Sequence, residues 1–351
     1  MIGWLDFLVN HGAMVWPPTA GAAETPPRIV GFGNPEQERA AARDGTVVCP
    51  LLDWTALLVA GPDAGSFLHA QFTNDVTSLA IGAVQHNGYC SPKGRMLACF
   101  PMAHTAEAEY LLVVPLGISQ ALVRRLRMFV LRAKVVVTPL DDTHACIGIA
   151  GPAGVNGEQP RALSVTRREA ETVLALPDGR LLAVCAEGGA LSFWETVARS
   201  ATPAGSPVWD WLAINAGIPV ITAPTQDKFV PQMLNWELVG GVNFQKGCYP
   251  GQEIVARMQY LGKLKERLYR AHVHEDSEFP PGTALYGAQF GEQSCGMIVN
   301  AAPAPGGGSD VLAVIQIASA LNDRVRVSPA AQAPVLELLP LPYPVPAEQA
   351  K

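Results

Sequence analysis

The stretch FQKGCYPGQEIVAR, residues 244–257, places a cysteine inside a turn bounded by glycines and follows it directly with helix-forming residues. Gly247 and Gly251 permit backbone conformations that other residues avoid, so the pattern predicts a tight turn. A helix is expected to begin near Gln252. Cys248 would then lie close to a helix N-terminus, whose partial positive charge favours a thiolate.

The polar residues around this cysteine leave two interpretations open. Lys246 could further stabilise a thiolate, and Glu253 and Arg257 are four residues apart on one helix face, where they can pair. The functional interpretation is a reactive or ligand-donating thiol at Cys248. The structural interpretation is a buried cysteine in a packed turn. The local pattern alone supports both.

The composition narrows the class of protein. The chain has 351 residues, of which 49% are hydrophobic and 16% are charged, as expected of a globular protein with a large core. A net charge of −6 excludes the global basic field that nucleic-acid binders use. The seven cysteines are scattered without a C-x-x-C pair, which favours reduced thiols and argues against a zinc or cluster site. His272 and His274 share a strand face without an evident third ligand, so no metal is expected.

The sequence also suggests a compartment. It shows no uncharged apolar stretch of about 18 residues, the length that would indicate a membrane span. The N-terminus lacks the basic region of a signal peptide. A cytoplasmic, soluble protein is therefore expected.

The order of apolar segments predicts the fold class. ALLVAG, MLACFPMA, EYLLVVP, KVVVTPL and HACIGIAG are typical of strands, and helices are expected after the Pro-Asp pair at 62–63 and over ISQALVRRLRMFVLRA. This βαββαβ-like alternation predicts an α+β protein with a ferredoxin-like layer. The short alternating strands after Gly262 predict a small C-terminal β-barrel.

The same patterns suggest domain boundaries. Residues 1–44 are expected to be a loose lead-in with one short helix, and residues 45–265 a core of two intertwined subdomains. Residues 266–335 would form the barrel, and residues 336–351, which are rich in proline, a mobile tail.

Two further clusters of polar residues can be interpreted either as functional sites or as ordinary structural features. In QFTNDVTSL, Asp75 could cap a helix end or bond across a pocket, or the segment is a simple helix terminus. A local basic run could hold a phosphate or RNA, but such runs are more often solvated faces, and few aromatic residues are interleaved for base stacking. Direct RNA binding is therefore weakly supported. The run comprises Arg257, Lys263, Lys265, Arg267 and Arg270.

Several of these segments together resemble the YgfZ family: KGCYPGQEIVAR, the preceding GIPVI and KFVPQMLNWELVGGVNF, and the earlier FLHAQFTNDV and CSPKGRML. The resemblance covers most of residues 45–270. Members of this family are folate-binding proteins related to the aminomethyltransferase (T-protein) of the glycine cleavage system. The resemblance implies a three-lobed α+β fold around a central folate pocket. It also implies a role in assembling or repairing iron–sulfur clusters in client enzymes, including those that thiolate tRNA.

The resemblance also implies roles for individual residues. Cys248 is the implied functional residue, and Lys246 lies beside it in the motif. The implied cofactor is tetrahydrofolate or a derivative, and the implied protein partners are iron–sulfur client or assembly proteins. The residues expected to contact the folate are Asn74, Asp75, Tyr89, Tyr249, Gln252, Glu253 and Arg257.

Two departures from the T-protein enzymes bear on activity. Those enzymes carry acidic residues in the segment matching KGRMLACF, where Leu97 and Ala98 stand here, and an arginine where Trp209 stands here. Without a carboxylate there is no evident general base. The leading hypothesis is therefore a folate-dependent accessory protein that uses Cys248. The alternative is a folate-dependent aminomethyltransferase or one-carbon transferase.

Overall fold

The computed structural model describes residues 2–16, 26–155, 157–322 and 324–346. The helices are α1 (Ile2–Asn10), α2 (Pro35–Asp44), α3 (Ala64–His69), α4 (Leu116–Val130), α5 (Glu187–Val197), α6 (Ser206–Asn215), α7 (Gln252–Tyr260) and α8 (Ile317–Asn322). The strands of the N-terminal half are β1 (Met14–Trp16), β2 (Arg28–Gly31), β3 (Val47–Pro50), β4 (Trp54–Ala60), β5 (Val84–Cys90), β6 (Met96–Ala106), β7 (Glu109–Pro115), β8 (Val136–Pro139) and β9 (His144–Ala150). The remaining strands are β10 (Val165–Arg167), β11 (Glu171–Ala175), β12 (Leu181–Ala186), β13 (Thr202–Pro203), β14 (Glu266–Val273), β15 (Ala284–Tyr286), β16 (Ser294–Pro303), β17 (Ser309–Gln316) and β18 (Glu337–Leu339).

The predicted ferredoxin-like layer is confirmed. The sheet has the order β5-β6-β7-β4-β8, and all its pairs are antiparallel. Leaving out the edge strand β5, the chain runs β4-α3-β6-β7-α4-β8, which is the βαββαβ order of that fold. Apolar residues of α3 and α4, including Leu68, Leu122 and Leu126, are buried against the sheet. The helical periodicity of these segments therefore identified the correct packing faces.

A second, six-stranded sheet has the order β10-β11-β12-β9-β3-β13. Helix α5 packs on it, and α1 packs on α5, where Trp4 and Leu8 are fully buried and the Trp4 ring meets Trp194 edge-on at 5.9 Å. Residues 2–16 and 26–44 thus differ from the loose lead-in that was expected, whereas residues 1 and 17–25 of that lead-in lie outside the described residues. Apolar side chains of the described part cover a hydrophobic face of the second sheet, whose exposure to water would be costly.

The C-terminal strands form a third sheet in the order β15-β16-β17-β14-β18. Isolated bridges join Tyr286 of β15 to Arg326 and Arg326 to Val335, two residues before β18. The two edges therefore approach each other through residue 326, but continuous pairing that would close a barrel is not seen in the described part of the chain. With the other two sheets, this one gives the three-lobed α+β architecture.

The last described residues are not a free tail. Strand β18 pairs with β14, and Leu336 is buried in the core of the third sheet. The Tyr343 hydroxyl donates a hydrogen bond of 2.8 Å to the Gly217 carbonyl at the end of α6. Residues 336–346 therefore differ from the mobile tail that was expected. The part of that tail from residue 347 onward lies outside the described residues.

Helix α6 connects the three lobes. Trp209 is buried between the first two sheets, and a methyl group on Gly148 of β9 would clash with its ring. Two residues further, about half a turn along the helix, Trp211 is buried against the third sheet, where its indole N–H donates a 2.9 Å hydrogen bond to Asp310. Opposite faces of this helix therefore pack against different sheets. One of the cavities described below lies beside Trp209, between the helix and the sheets.

Candidate functional site

The motif turn, residues 246–251, has the geometry that its glycines predict. Gly251 adopts a left-handed conformation with φ = 80°, and α7 begins at the next residue, Gln252. In this region of conformational space only glycine avoids a steric penalty from Cβ. The turn therefore ends at the N-terminus of α7 with Cys248 on its outer side.

Lys246 is the buried anchor of the motif turn. Its ammonium group donates hydrogen bonds to the carbonyl oxygens of His69 and Phe72, the second at 2.5 Å, and it lies 5.1 Å from the centre of the Tyr249 ring. These carbonyls belong to the end of α3, where backbone acceptors have no partner within the helix. Burial lowers the pKa of Lys246 to about 8 despite the opposing electrostatic effects of Asp75 and Cys248. Lys246 therefore joins the motif turn to the ferredoxin-like layer through these hydrogen bonds.

The seven cysteines fall into two groups. Cys248 is exposed, and the other six are buried. Burial raises the thiol pKa of Cys99 and Cys146 to about 12, so these groups remain protonated and inert at neutral pH. Cys248 is therefore the thiol that a solution reagent or a partner protein can reach.

A histidine that was not among the predicted site residues lies beside the motif turn. Nδ1 of His69 is 3.0 Å from Oδ1 of Asp75. Oδ1 of Asp75 also accepts hydrogen bonds from the backbone N–H groups of Thr77 and Ser78, at 3.0 and 3.1 Å. Burial opposes ionisation of Asp75, but these hydrogen bonds outweigh it and lower the pKa of the carboxyl. An ionised carboxylate facing Nδ1 places the ring proton on that nitrogen and leaves Nε2 free.

The residues expected to contact folate separate into several places. Asn74 donates hydrogen bonds to the carbonyls of His86 and Gly240, at 2.9 and 2.7 Å, and so ties its loop to β5. Tyr89 is buried in the core of the ferredoxin-like layer, and Tyr249 is buried beside Lys246. The remaining three lie on α7: Gln252 is half-buried, whereas Glu253 and Arg257 are exposed.

The structure contains an inner cavity between the sheets. It has a volume of about 30 Å³, room for about one water molecule. Its walls include the aromatic side chains Trp54, Phe100, Trp209 and Trp236. His86 also lines it, and neither ring nitrogen of this buried histidine has a hydrogen-bond partner. Burial lowers the pKa of His86 to about 4, so the ring is neutral at pH 7 and offers one donor and one acceptor.

An outer cavity of about 810 Å³ adjoins the inner one. Both are lined by Arg180 and Ile218. The guanidinium of Arg180 lies 4.5 Å from the centre of the Trp209 ring and is bonded to Asp178 at 2.7 Å. Burial would raise the pKa of Asp178, but this ion pair outweighs it and lowers the pKa. Cavities of this size bind small molecules in other proteins.

These two cavities are lined by none of the seven residues expected to contact folate. That assignment stays a prediction, and the cavity walls offer a different set of residues. Leu97 and Ala98, where the resemblance implies carboxylates, belong to the core of the ferredoxin-like layer. Trp209 stands where the resemblance implies an arginine. Here the guanidinium next to that position belongs to Arg180, in the turn before β12, and it lies over the Trp209 ring.

The basic run is divided by the fold. Arg267 is buried and forms an ion pair of 3.0 Å with Glu237, and Arg270 lies 3.6 Å from Asp310. Arg257, Lys263 and Lys265 remain exposed. The five cations therefore do not present one continuous surface. The two histidines at the end of β14 also have separate partners. His272 lies 2.8 Å from Asp310, and His274, just after the strand, lies 2.8 Å from Glu337.

The functional residues that the sequence did not reveal come from distant segments. His69 lies in the quoted segment FLHAQFTNDV, but nothing local shows that it faces a turn 178 residues later. His86, Arg180 and Trp209 come from three separate elements. Only the tertiary structure brings them together, so no spacing rule could have identified them.

No helix in the described ranges is long and apolar enough to cross a membrane.

The fold and the site place the chain in a known class. Residues 23–156 match the GCVT N-terminal domain. The fold is that of the glycine cleavage system aminomethyltransferase T from Bartonella henselae, with a TM-score of 0.79, 16% sequence identity, and coverage of 97% of this chain and 96% of that one. The architecture is thus that of the GCVT-like proteins.

Curated relatives define the particular family. The chain is 30% identical to the tRNA-modifying protein YgfZ of Edwardsiella ictaluri over 333 residues, covering 88% of this chain and 96% of the relative. It is also 30% identical to the YgfZ protein of Shigella sonnei over 244 residues, covering 67% of this chain and 74% of the relative. The chain belongs to the YgfZ family of tRNA-modifying proteins.

Proposed function

We propose that this protein binds a tetrahydrofolate species and supports the assembly or repair of iron–sulfur clusters in client enzymes through Cys248. Enzymes that modify tRNA are among the clients we propose, since the relatives are named tRNA-modifying proteins. The observation that carries the proposal is the accessibility of one thiol. Cys248 is exposed on a turn that Lys246 anchors, whereas the other six cysteines are buried. The protein would act in the cytoplasm, where such thiols stay reduced.

The outer cavity has the size that a folate needs, and the walls of the inner cavity have matching chemistry. A pteridine is flat and aromatic and carries hydrogen-bond donors and acceptors along its edge, which suits the walls formed by Trp209 and Trp236. The unpartnered nitrogens of His86 and the indole N–H of Trp236, which also lacks a partner, would supply hydrogen bonds. The inner cavity, of about 30 Å³, is smaller than a pteridine. The ligand would therefore lie in the outer cavity of about 810 Å³ and reach these groups where the two cavities meet, at Arg180 and Ile218.

The alternative, an aminomethyltransferase or other one-carbon transferase, needs an acid or base in the cavity. The carboxylates among the residues lining the two cavities are Asp178 and Asp210. Asp178 is paired with Arg180, and Asp210 is paired with Arg28. The ion pair with Arg180 lowers the pKa of Asp178 and makes it a weaker base, and Asp210 is occupied by its contact with Arg28. The geometry therefore supports the accessory role better than transferase activity.

The test uses a strain that lacks its own YgfZ protein. Wild-type protein should restore iron–sulfur-dependent tRNA thiolation, measured by mass spectrometry of tRNA nucleosides, and Cys248→Ser should not. Gln245→Ser, an exposed change on the same segment, is the matched control and should restore thiolation. Calorimetry on the purified proteins should show that Cys248→Ser still binds tetrahydrofolate. Full complementation by Cys248→Ser would contradict the role of the thiol, and absence of folate binding by the wild type would contradict the cofactor.

A further inference from the structure

His69 lies at the end of α3 against the motif turn, and its Nδ1 already has a partner in Asp75. Nδ1 faces the ionised carboxylate of Asp75 at 3.0 Å, and the Thr77 hydroxyl, at 3.3 Å from the same nitrogen, also bonds to Asp75. This arrangement holds the ring in one orientation. It also leaves Nε2 as the nitrogen with an available lone pair.

Nε2 of His69 points at the motif turn. A methyl group built on Gly247 would lie 3.4 Å from Nε2, so the Cα of Gly247 is within about 5 Å of that nitrogen. Cys248 is the next residue, and consecutive Cα atoms are about 3.8 Å apart. The imidazole of His69 therefore lies against the residue that directly precedes the exposed Cys248.

Charged groups lie on more than one side of His69. Asp75 lies on one side of the ring, and the ammonium of Lys246 bonds to the backbone carbonyl of His69 itself. Lys246 also interacts electrostatically with Cys248 and with Asp75. An imidazolium at His69 would thus face the carboxylate of Asp75. The four titratable groups of this cluster are Asp75, His69, Lys246 and Cys248.

We propose that His69, held by Asp75, is the proton acceptor that converts Cys248 to its thiolate. The S–H proton of Cys248 moves to Nε2 of His69, the electron pair stays on sulfur, and the resulting imidazolium is stabilised by the carboxylate of Asp75. The net charge of the pair is unchanged, and no further reactant is required. What the thiolate then receives or transfers rests on the proposed function, but the proton transfer does not.

The test is the pH dependence of alkylation by iodoacetamide on the purified full-length protein. Because six of the seven cysteines are buried, the fast phase of labelling reports Cys248, and Cys248→Ser supplies the blank. His69→Gln cannot accept the proton, so the midpoint of the alkylation profile should move to higher pH. We expect labelling at pH 7 to slow about tenfold, because less of the reactive thiolate forms. His11→Gln changes an exposed histidine at the end of α1 and should leave the profile unchanged.

Two further variants separate the proton acceptor from a structural role. His69→Ala should also react slowly, and added imidazole should restore its rate, which a loss of structure would not permit. Asp75→Asn should give an intermediate midpoint, since the imidazolium loses its carboxylate but the ring remains. A profile that is the same in wild type and His69→Gln would overturn the proposal. So would a profile that moves only in Lys246→Met, because lysine would then set the ionisation of the thiol.

The outcome is independent of the test of function. If Cys248→Ser complements the deletion strain while alkylation depends on His69, the cluster activates a thiol but the proposed function fails. If Cys248→Ser does not complement and alkylation is indifferent to His69, the function stands and this inference fails.

Discussion

Gly251 of the motif turn and Gly94 of the SPKG turn meet backbone to backbone. A methyl group on Gly251 would lie 2.6 Å from the Cα of Gly94, and one on Gly94 would lie 2.8 Å from Cβ of Ile254. Both glycines have positive φ, 80° and 69°. The SPKG turn, residues 91–94, is therefore the surface on which the motif turn rests. This contact positions Cys248 at the edge of the ferredoxin-like layer.

Gly251→Ala should destabilise the protein by about 2 kcal/mol or more, because alanine is strained at positive φ and its methyl group meets the backbone of the other turn. Urea denaturation monitored by circular dichroism would measure the change. Gly247→Ala is the matched control: φ at this position is not in the left-handed region, and the nearest contact of its methyl group is an ordinary 3.4 Å. Equal losses in the two variants would show that the packing of the turns is not the cause.

Thr73 joins the end of the α3 segment to two other parts of the chain. Its buried hydroxyl donates a 2.6 Å hydrogen bond to the Gly241 carbonyl and accepts one of 2.8 Å from the Gly88 N–H. Thr73→Val removes both and leaves buried groups unpaired, so we expect a loss of about 2–4 kcal/mol in the free energy of unfolding. Thr55→Val, at an equally buried threonine with one weak contact of 3.4 Å, should cost much less. A larger loss at Thr55 would refute this account.

His86 should make stability depend on pH in a defined window. Burial lowers its pKa to about 4 in the folded protein, against about 6.5 in the unfolded chain, so the unfolded state binds more protons between these values. The unfolding free energy should therefore fall as pH falls from 6.5 to 4, by about 3 kcal/mol from this residue. His86→Leu should remove this slope, whereas His11→Gln at an exposed site should keep it. Chemical denaturation at several pH values measures both, and an unchanged slope in His86→Leu would be inconsistent with a buried neutral imidazole.

Trp209 should contribute to folate binding if the ligand occupies the adjoining cavities. Trp209→Leu removes an aromatic wall of the inner cavity and the contact with Arg180, so we expect at least about tenfold weaker binding of tetrahydrofolate. Trp16→Leu, at a tryptophan that is 59% exposed, is the control. Calorimetry on variants whose fold is verified by circular dichroism would measure the affinities. An unchanged affinity in Trp209→Leu would place the ligand elsewhere, for example among the residues predicted from the sequence.

Local sequence patterns determined much of this architecture. The βαββαβ order, the apolar faces of α3 and α4 and the start of α7 at Gln252 are set by periodicity and by glycines within the same few residues. The motif around Cys248 likewise identified the family. It left open whether the thiol is buried or exposed, and only the fold shows that Cys248 is exposed. The packing of α1 was not predicted because its apolar residues match a surface formed by α5, far along the chain.

The composition of the site was decided by the tertiary structure. Asp75 lies within the same segment as His69, yet their pairing depends on how the chain turns after α3, and the motif turn that they face is about half the chain away. The cavity walls similarly combine His86, Arg180 and Trp209 from three elements. Sequence determines which chemical groups are available, but a hydrogen bond or a cavity wall forms only between groups that lie within a few ångströms of each other. Which groups meet over that range depends on the packing of the sheets and helices, which short patterns do not encode.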